Sequence, residues 1–113
     1  MTTQLDNTSE TATLLTTRQR QFLKGMAHSL SPLVQIGKDG LSSGVLDSVR
    51  KELQRHELIK VKIGNNSGLE KKSTSLQIAS AVEAELVQLI GKTIILFKNN
   101  PRRPKEKKIK LPG

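Results

Sequence analysis

An α/β domain in which helices alternate with strands, in the order α-β-α-β-α-β, is predicted by three observations. Apolar residues recur at spacings of three and four within residues 18–30, 43–56 and 69–90, the period of an amphipathic helix. Between and after these segments lie short apolar or alternating runs, residues 32–36, Leu58–Ile63 and Thr93–Phe97, which fit strands. The length of 113 residues suits one modest core, so a single compact domain with helices backing the sheet and right-handed crossovers is expected.

Residues 1–13 are rich in Thr, Asn, Ser and Gln with almost nothing to bury, and are read as a disordered leader. Structure begins at Leu14, with Thr16 or Thr17 as the first helix's N-cap. Phe22, Leu23, Met26, Ala27 and Leu30 form one apolar face, and Pro32 ends the helix. Arg18 and Arg20 occupy the first turn, where the helix dipole disfavours cations; a solvated face and an anionic partner both account for them. In the second helix Val45, Leu46, Val49 and Leu53 share a side, while Arg50, Lys51, Gln54 and Arg55 lie away from it. The following strand directs Ile59, Val61 and Ile63 to the core and Lys60 and Lys62 to the other face. After a turn at residues 64–68, a third helix is expected from about Leu69 or Ser73 to Ile90, closed by Gly91 as its C-cap. The nearly continuous apolar run at Thr93–Phe97 reads as a strand covered on both faces in a partly parallel sheet. Residues 99–113 form a basic tail. Lys108 and Lys110 alternate there with Ile109 and Leu111, a pattern compatible with a short edge strand over 108–111.

Charge narrows the function classes. The net charge is +9 and the pI about 10.2. From residue 16 onward 19 Lys and Arg face 8 Asp and Glu, a balance that argues for a polyanionic partner, nucleic acid first. With no Cys, disulfides and thiolate chemistry are excluded, and no apolar run approaches the length of a membrane span. A cytoplasmic monomer without membrane, cofactor, metal or small-molecule substrate is the simplest expectation. His28 has no Cys, Asp or Glu at ligand spacing, His56 ends the second helix where a protonated ring suits the dipole, and no recognisable motif joins them to the acids and Ser or Thr residues, so no enzyme is expected. Phe22 and Phe97 are the only aromatic residues, too few for a protein that reads bases by stacking.

The sharpest motif is Gly37-Lys38-Asp39-Gly40, set between a strand and a helix that starts near Ser42 or Ser43. Glycines there can take φ > 0 and let another backbone approach, Lys38 adds a mobile cation, and the helix's free N–H groups favour an anion. A phosphate clamp on RNA is the functional reading, and an ordinary strand-to-helix turn is the plain one. Asp39 and Asp47 would repel a phosphate and temper the clamp.

Four stretches carry a family resemblance: Leu15-Thr16-Thr17-Arg18-Gln19-Arg20-Gln21-Phe22-Leu23, Val34-Gln35-Ile36-Gly37-Lys38-Asp39-Gly40-Leu41, His56-Glu57-Leu58-Ile59-Lys60-Val61-Lys62 and Ile90-Gly91-Lys92-Thr93-Ile94-Ile95-Leu96-Phe97. In this order they closely resemble the bacterial YhbY-type proteins of the CRM domain family (chloroplast RNA splicing and ribosome maturation), over about residues 14–98. The resemblance implies a four-stranded mixed sheet, order α-β-α-β-α-β(-β), similar to the C-terminal domain of translation initiation factor 3. It also implies RNA binding through the glycine loop and association with precursors of the large ribosomal subunit, so that large-subunit ribosomal RNA or a pre-ribosomal particle is the expected partner. The RNA-contact residues would be Gly37, Lys38, Asp39 and Gly40, supported by Arg18, Arg20, Lys60, Lys62, Arg102 and Arg103. Asp39, and Phe97 where Tyr is frequent, depart from the family pattern. The alternative from composition alone is a non-catalytic adaptor that binds ribosomal proteins or DNA through its basic surface.

Overall fold

The structure, a computed structural model, describes residues 15–113. The expectation of a disordered leader over residues 1–13 therefore lies outside the described residues. Helix α1 (Thr17–Ala27) starts at Thr16, which forms a capping box: its side chain accepts the Gln19 N–H while the Gln19 amide oxygen accepts the Thr16 N–H. Strand β1 (Val34–Ile36) leads through the glycine loop into α2 (Ser43–His56), then β2 (Leu58–Ile63) and α3 (Lys71–Ala81). A hairpin of β3 (Glu85–Ile90) and β4 (Thr93–Phe97) follows, and the tail carries one 3-10 turn, Lys105–Lys107.

The sheet order is β1-β2-β4-β3, with β1 and β2 parallel and β4 antiparallel to both its neighbours. Alternation along the strands divides the interior in two. Ile59, Val61, Ile63, Ile94 and Leu96 pack with Val49 and Leu53 of α2 and Ile78, Ala79 and Val82 of the α3 end. On the other face Leu58, Val87, Ile95 and Phe97 meet Leu23 and Ala27 of α1, with Ile109 and Leu111 of the tail packed alongside. The four-stranded mixed sheet and the helical backing agree with the expectation, and β4 is buried on both faces.

Four details differ. The third helix stops at Ala81, and residues Glu85–Ile90 form the fourth strand. Val82 and Glu83 turn the chain: the Ala84 N–H reaches the Ala79 carbonyl and the Glu83 N–H the Ser80 carbonyl, a Schellman motif with Glu83 at φ +55°. Gly91 is consequently no helix cap but the first residue of the two-residue β3–β4 turn, at φ +56°, where a type II′ turn takes glycine. Residues 108–111 join no sheet; their alternation buries Ile109 and Leu111 against the α1 face as irregular chain. Finally, α1 buries only Leu23 and Ala27 and ends before Leu30, leaving Phe22, Met26 and Leu30 about 40 % exposed because one helix on this face contacts the sheet along a narrow seam.

Candidate nucleic-acid interface

The C-terminal ends of β1 and β2 lie side by side, and the β3–β4 turn joins them. The Gly64 N–H donates to the Ile36 carbonyl at 2.8 Å, and the Ile63 N–H to the Lys92 carbonyl at 2.8 Å. A Cβ on Gly64 would stand 2.8 Å from the Ile36 oxygen, so glycine is what lets these strand ends meet. Three loops thus share one end of the sheet: residues 37–40, 64–70 and 91–92.

In the first loop the Gly40 N–H closes on the Gly37 carbonyl at 3.0 Å, with Lys38 and Asp39 exposed at the tip. Gly40 has φ +65° and needs its missing side chain for conformation. Gly37 does not: its φ is not positive, and a Cβ added there would meet no atom within 4 Å. The absent side chain at Gly37 therefore clears space outside the protein, over the main chain that leads to the loop tip. This corrects the reading that both glycines take φ > 0.

Two helices begin beside this loop, and they differ electrically. Glu70 caps α3 with its carboxylate, accepting the Ser73 and Lys72 N–H groups at 2.8 Å each, bonds that hold its pKa below the ordinary value. That end already has its anion. At α2 the cap is the neutral Ser42 hydroxyl, which accepts the Val45 N–H at 3.2 Å, and no acid occupies the first turn. This positive end is the one left for an outside anion. A groove of about 440 Å³ continues from it along the β1 edge, lined by Gln35, Ser42, Gly44 and Ser48 near the helix start and also by Glu52, an acid that lies 3.5 Å from His56.

Cations complete the end. Lys62 is exposed, in register with Gln35 and Thr93 and so on the same sheet face as both. Lys92, in the hairpin turn, bonds Asn65 Oδ1 at 3.0 Å. Lys38, Lys62, Lys71, Lys72 and Lys92 make no salt bridge among the described residues. Lys92 and Asn65 were absent from the sequence-derived list. A Gly-Lys pair between two apolar runs is a hairpin pattern that could have found Lys92, had residues 85–90 been read as a strand.

The other named residues go elsewhere. Lys60 is half-buried, its Nζ donating to the Leu30 carbonyl at 2.9 Å. Arg18 is exposed on the first turn of α1. The Arg20 guanidinium is held within the fold, donating to the carbonyls of Leu86 and Val87 and pairing with Glu85 at 3.0 Å. Arg102 and Arg103 lie beside the C-terminus of α2, at the opposite end of the sheet, where Arg103 donates to the His56 carbonyl and to Glu57. Among the described residues no three His, Asp or Glu gather to hold a metal ion, and no helix is long and apolar enough to cross a membrane.

Residues 15–98, which include the whole loop end, match the family model of the CRS1 / YhbY (CRM) domain. The chain belongs to that family. A Haemophilus influenzae relative named "RNA-binding protein" is 42 % identical over 100 residues, covering 88 % of this chain and 97 % of the relative. The "Probable RNA-binding protein YqeI" of Bacillus subtilis is 34 % identical over 99 residues, 88 % of this chain and 100 % of the relative. Among solved structures, SAV1595 of Staphylococcus aureus superposes with a TM-score of 0.71 at 34 % identity, covering 88 % of this chain and 100 % of that one. The CRM domain thus accounts for all three helices and the four-stranded sheet, and its matched stretch stops as the basic tail begins.

Proposed function

We propose that this protein binds RNA by seating backbone phosphates on the 37–40 loop and the N-terminus of α2, with Lys38, Lys62 and Lys92 around them. On this reading it is a non-catalytic factor of the cytoplasm that acts on large-subunit ribosomal RNA during assembly, as the family resemblance implies. The observation that carries the reading is the open space over Gly37 beside a positive helix end capped only by a neutral hydroxyl, among lysines that make no salt bridge among the described residues. The names of the relatives support RNA as the polyanion.

Phosphate contacts fix position and carry no base information, and the loop end presents no aromatic ring, so selectivity follows RNA shape more than sequence. Fluorescence anisotropy with single-stranded RNA at several salt concentrations tests this. Neutralising roughly 4 to 6 phosphates gives a log–log slope of about −3 to −4. Gly37→Asp places a negative charge in open space, and it is expected to weaken binding about tenfold, the cost of about 1.4 kcal/mol, with the melting temperature unchanged. A salt-independent isotherm, or a variant that unfolds, contradicts the reading. Crosslinking in cells with sequencing of the attached RNA tests the ribosomal assignment.

A further inference from the structure

We propose that the molecule holds two RNA segments at once, the second on a cationic surface that the C-terminal tail builds at the end of the sheet opposite the glycine loop. The proposal rests on the loop-end reading above. Its own ground is the way the tail is fastened.

Seven bases lie within residues 98–110, against the single acid Glu106. In a free arm they would fold back onto whatever RNA the loop holds. Here they cannot, because Glu57, fully buried between α2 and β2, fastens the tail at several points. Its carboxylate accepts the Asn100 N–H at 2.7 Å and the Ile109 N–H at 2.8 Å, and pairs with Arg103 and Lys108 at 3.2 Å each. The Asn100 side chain donates to the Gln54 carbonyl, and Gln19 of α1 donates to the Pro112 carbonyl. The tail therefore crosses the sheet end from α2 to α1 as part of the body.

Fastening divides its charges into two sets. Arg103 and Lys108 are spent on Glu57, whereas Arg102, Lys105, Lys107 and Lys110 stay exposed and make no salt bridge among the described residues. Beside them a cleft of about 280 Å³ between tail and α2 is lined by Arg50, Gln54, Lys98, Asn99, Asn100 and Arg102 together with the apolar Leu53 and Pro101. Arg50 there already pairs with Asp47 at 3.0 Å and donates to the Ala81 carbonyl, and Lys98 donates to the Val82 carbonyl, so among the described residues Arg102 is the cation of this cleft left to a phosphate oxygen. Glu57 precedes β2 and Gly64 follows it, so the two surfaces stand about 20 Å apart along the strand. They face away from each other at opposite ends of the sheet, which makes the tail a separate seat for a second RNA segment.

Sedimentation of the full-length protein with a 20-nucleotide RNA hairpin in excess, at low salt, tests the proposal by stoichiometry. The unmodified protein is expected to carry two hairpins per monomer. Combining Arg102→Ala, Lys105→Ala, Lys107→Ala and Lys110→Ala leaves one, held by the loop end; Gly37→Asp with Lys38→Ala also leaves one, held by the tail. Should the fourfold variant fail to fold, Lys105→Glu with Lys107→Glu, at exposed positions outside the Glu57 bonds, is expected to give the same loss. Saturation of the unmodified protein by a single hairpin overturns the proposal, as does a folded tail variant that still takes two. A loop variant that still takes two hairpins overturns the loop-end reading instead.

Discussion

Glu57 adopts a left-handed backbone conformation, φ +65°, with its side chain wholly enclosed. Both features are unfavourable for glutamate, so its carboxylate must repay them through the bonds it accepts from the tail. Burial raises the carboxyl's pKa, but the Asn100 and Ile109 amides and the Lys108 ammonium together outweigh it and hold the group below its ordinary value. Protons therefore prefer the unfolded chain, and the stabilisation is present above the unfolded pKa and lost as pH falls through the folded one. Replacing Glu57 with Gln is expected to cost about 2 kcal/mol at pH 7, below the ~3–5 kcal/mol of a fully enclosed broken pair because Arg103 and Lys108 can turn to water. Urea unfolding of the two proteins across pH checks this: the difference is full at neutral pH and shrinks below about pH 4. A gap that widens in acid contradicts the assignment. At this scale the sequence was partly legible. Lys38 and Lys62 stood out and are exposed at the loop end, whereas Arg20 and Arg103 looked equally available. Their partners Glu85 and Glu57 stand 65 and 46 residues away in the chain, and composition cannot reveal such pairings.

The strand read as helix was β3, and its cause is a bulge. Glu85 and Leu86 pair with Phe97 and Leu96, but Gln88 pairs with Ile95, so Val87 is an extra residue that resets the alternation. Leu86 and Leu89 face one cluster and Val87 the other, a spacing of three that imitates a helix. Arg20 supports the same irregularity by binding the carbonyls of Leu86 and Val87. The end of α3 was hidden too, because Glu83 occupies the left-handed position where glycine would have announced a stop. Glu83 is exposed and joins no salt bridge among the described residues, so Glu83→Gly should relieve backbone strain. Offsetting glycine's greater freedom when unfolded, a gain of about 0.5–1 kcal/mol is expected, seen as a higher urea midpoint. A lower midpoint would show that the glutamate side chain stabilises this turn. Elements with unbroken periods, α2 and β2, were legible almost to the residue.

Across the whole molecule, the proposed function depends on which loops share an end of the sheet. The strand order β1-β2-β4-β3 brings residues 37–40, 64–70 and 91–92 together and sends the tail to the other end. Neither fact is local, since both follow from register between strands distant in sequence. The glycine loop was legible because strand, turn and helix start are contiguous there. Its neighbours Asn65 and Lys92 were not, and the two-ended distribution of charge emerged only with the fold. The most direct test of phosphate capture by the loop is a titration of short single-stranded RNA into ¹⁵N-labelled protein, followed amide by amide. The largest shifts are expected at Gly37, Lys38, Asp39 and Gly40, at Ser43 and Gly44 in the first turn of α2, and at Lys92. Saturable binding that leaves these amides unmoved would contradict the account.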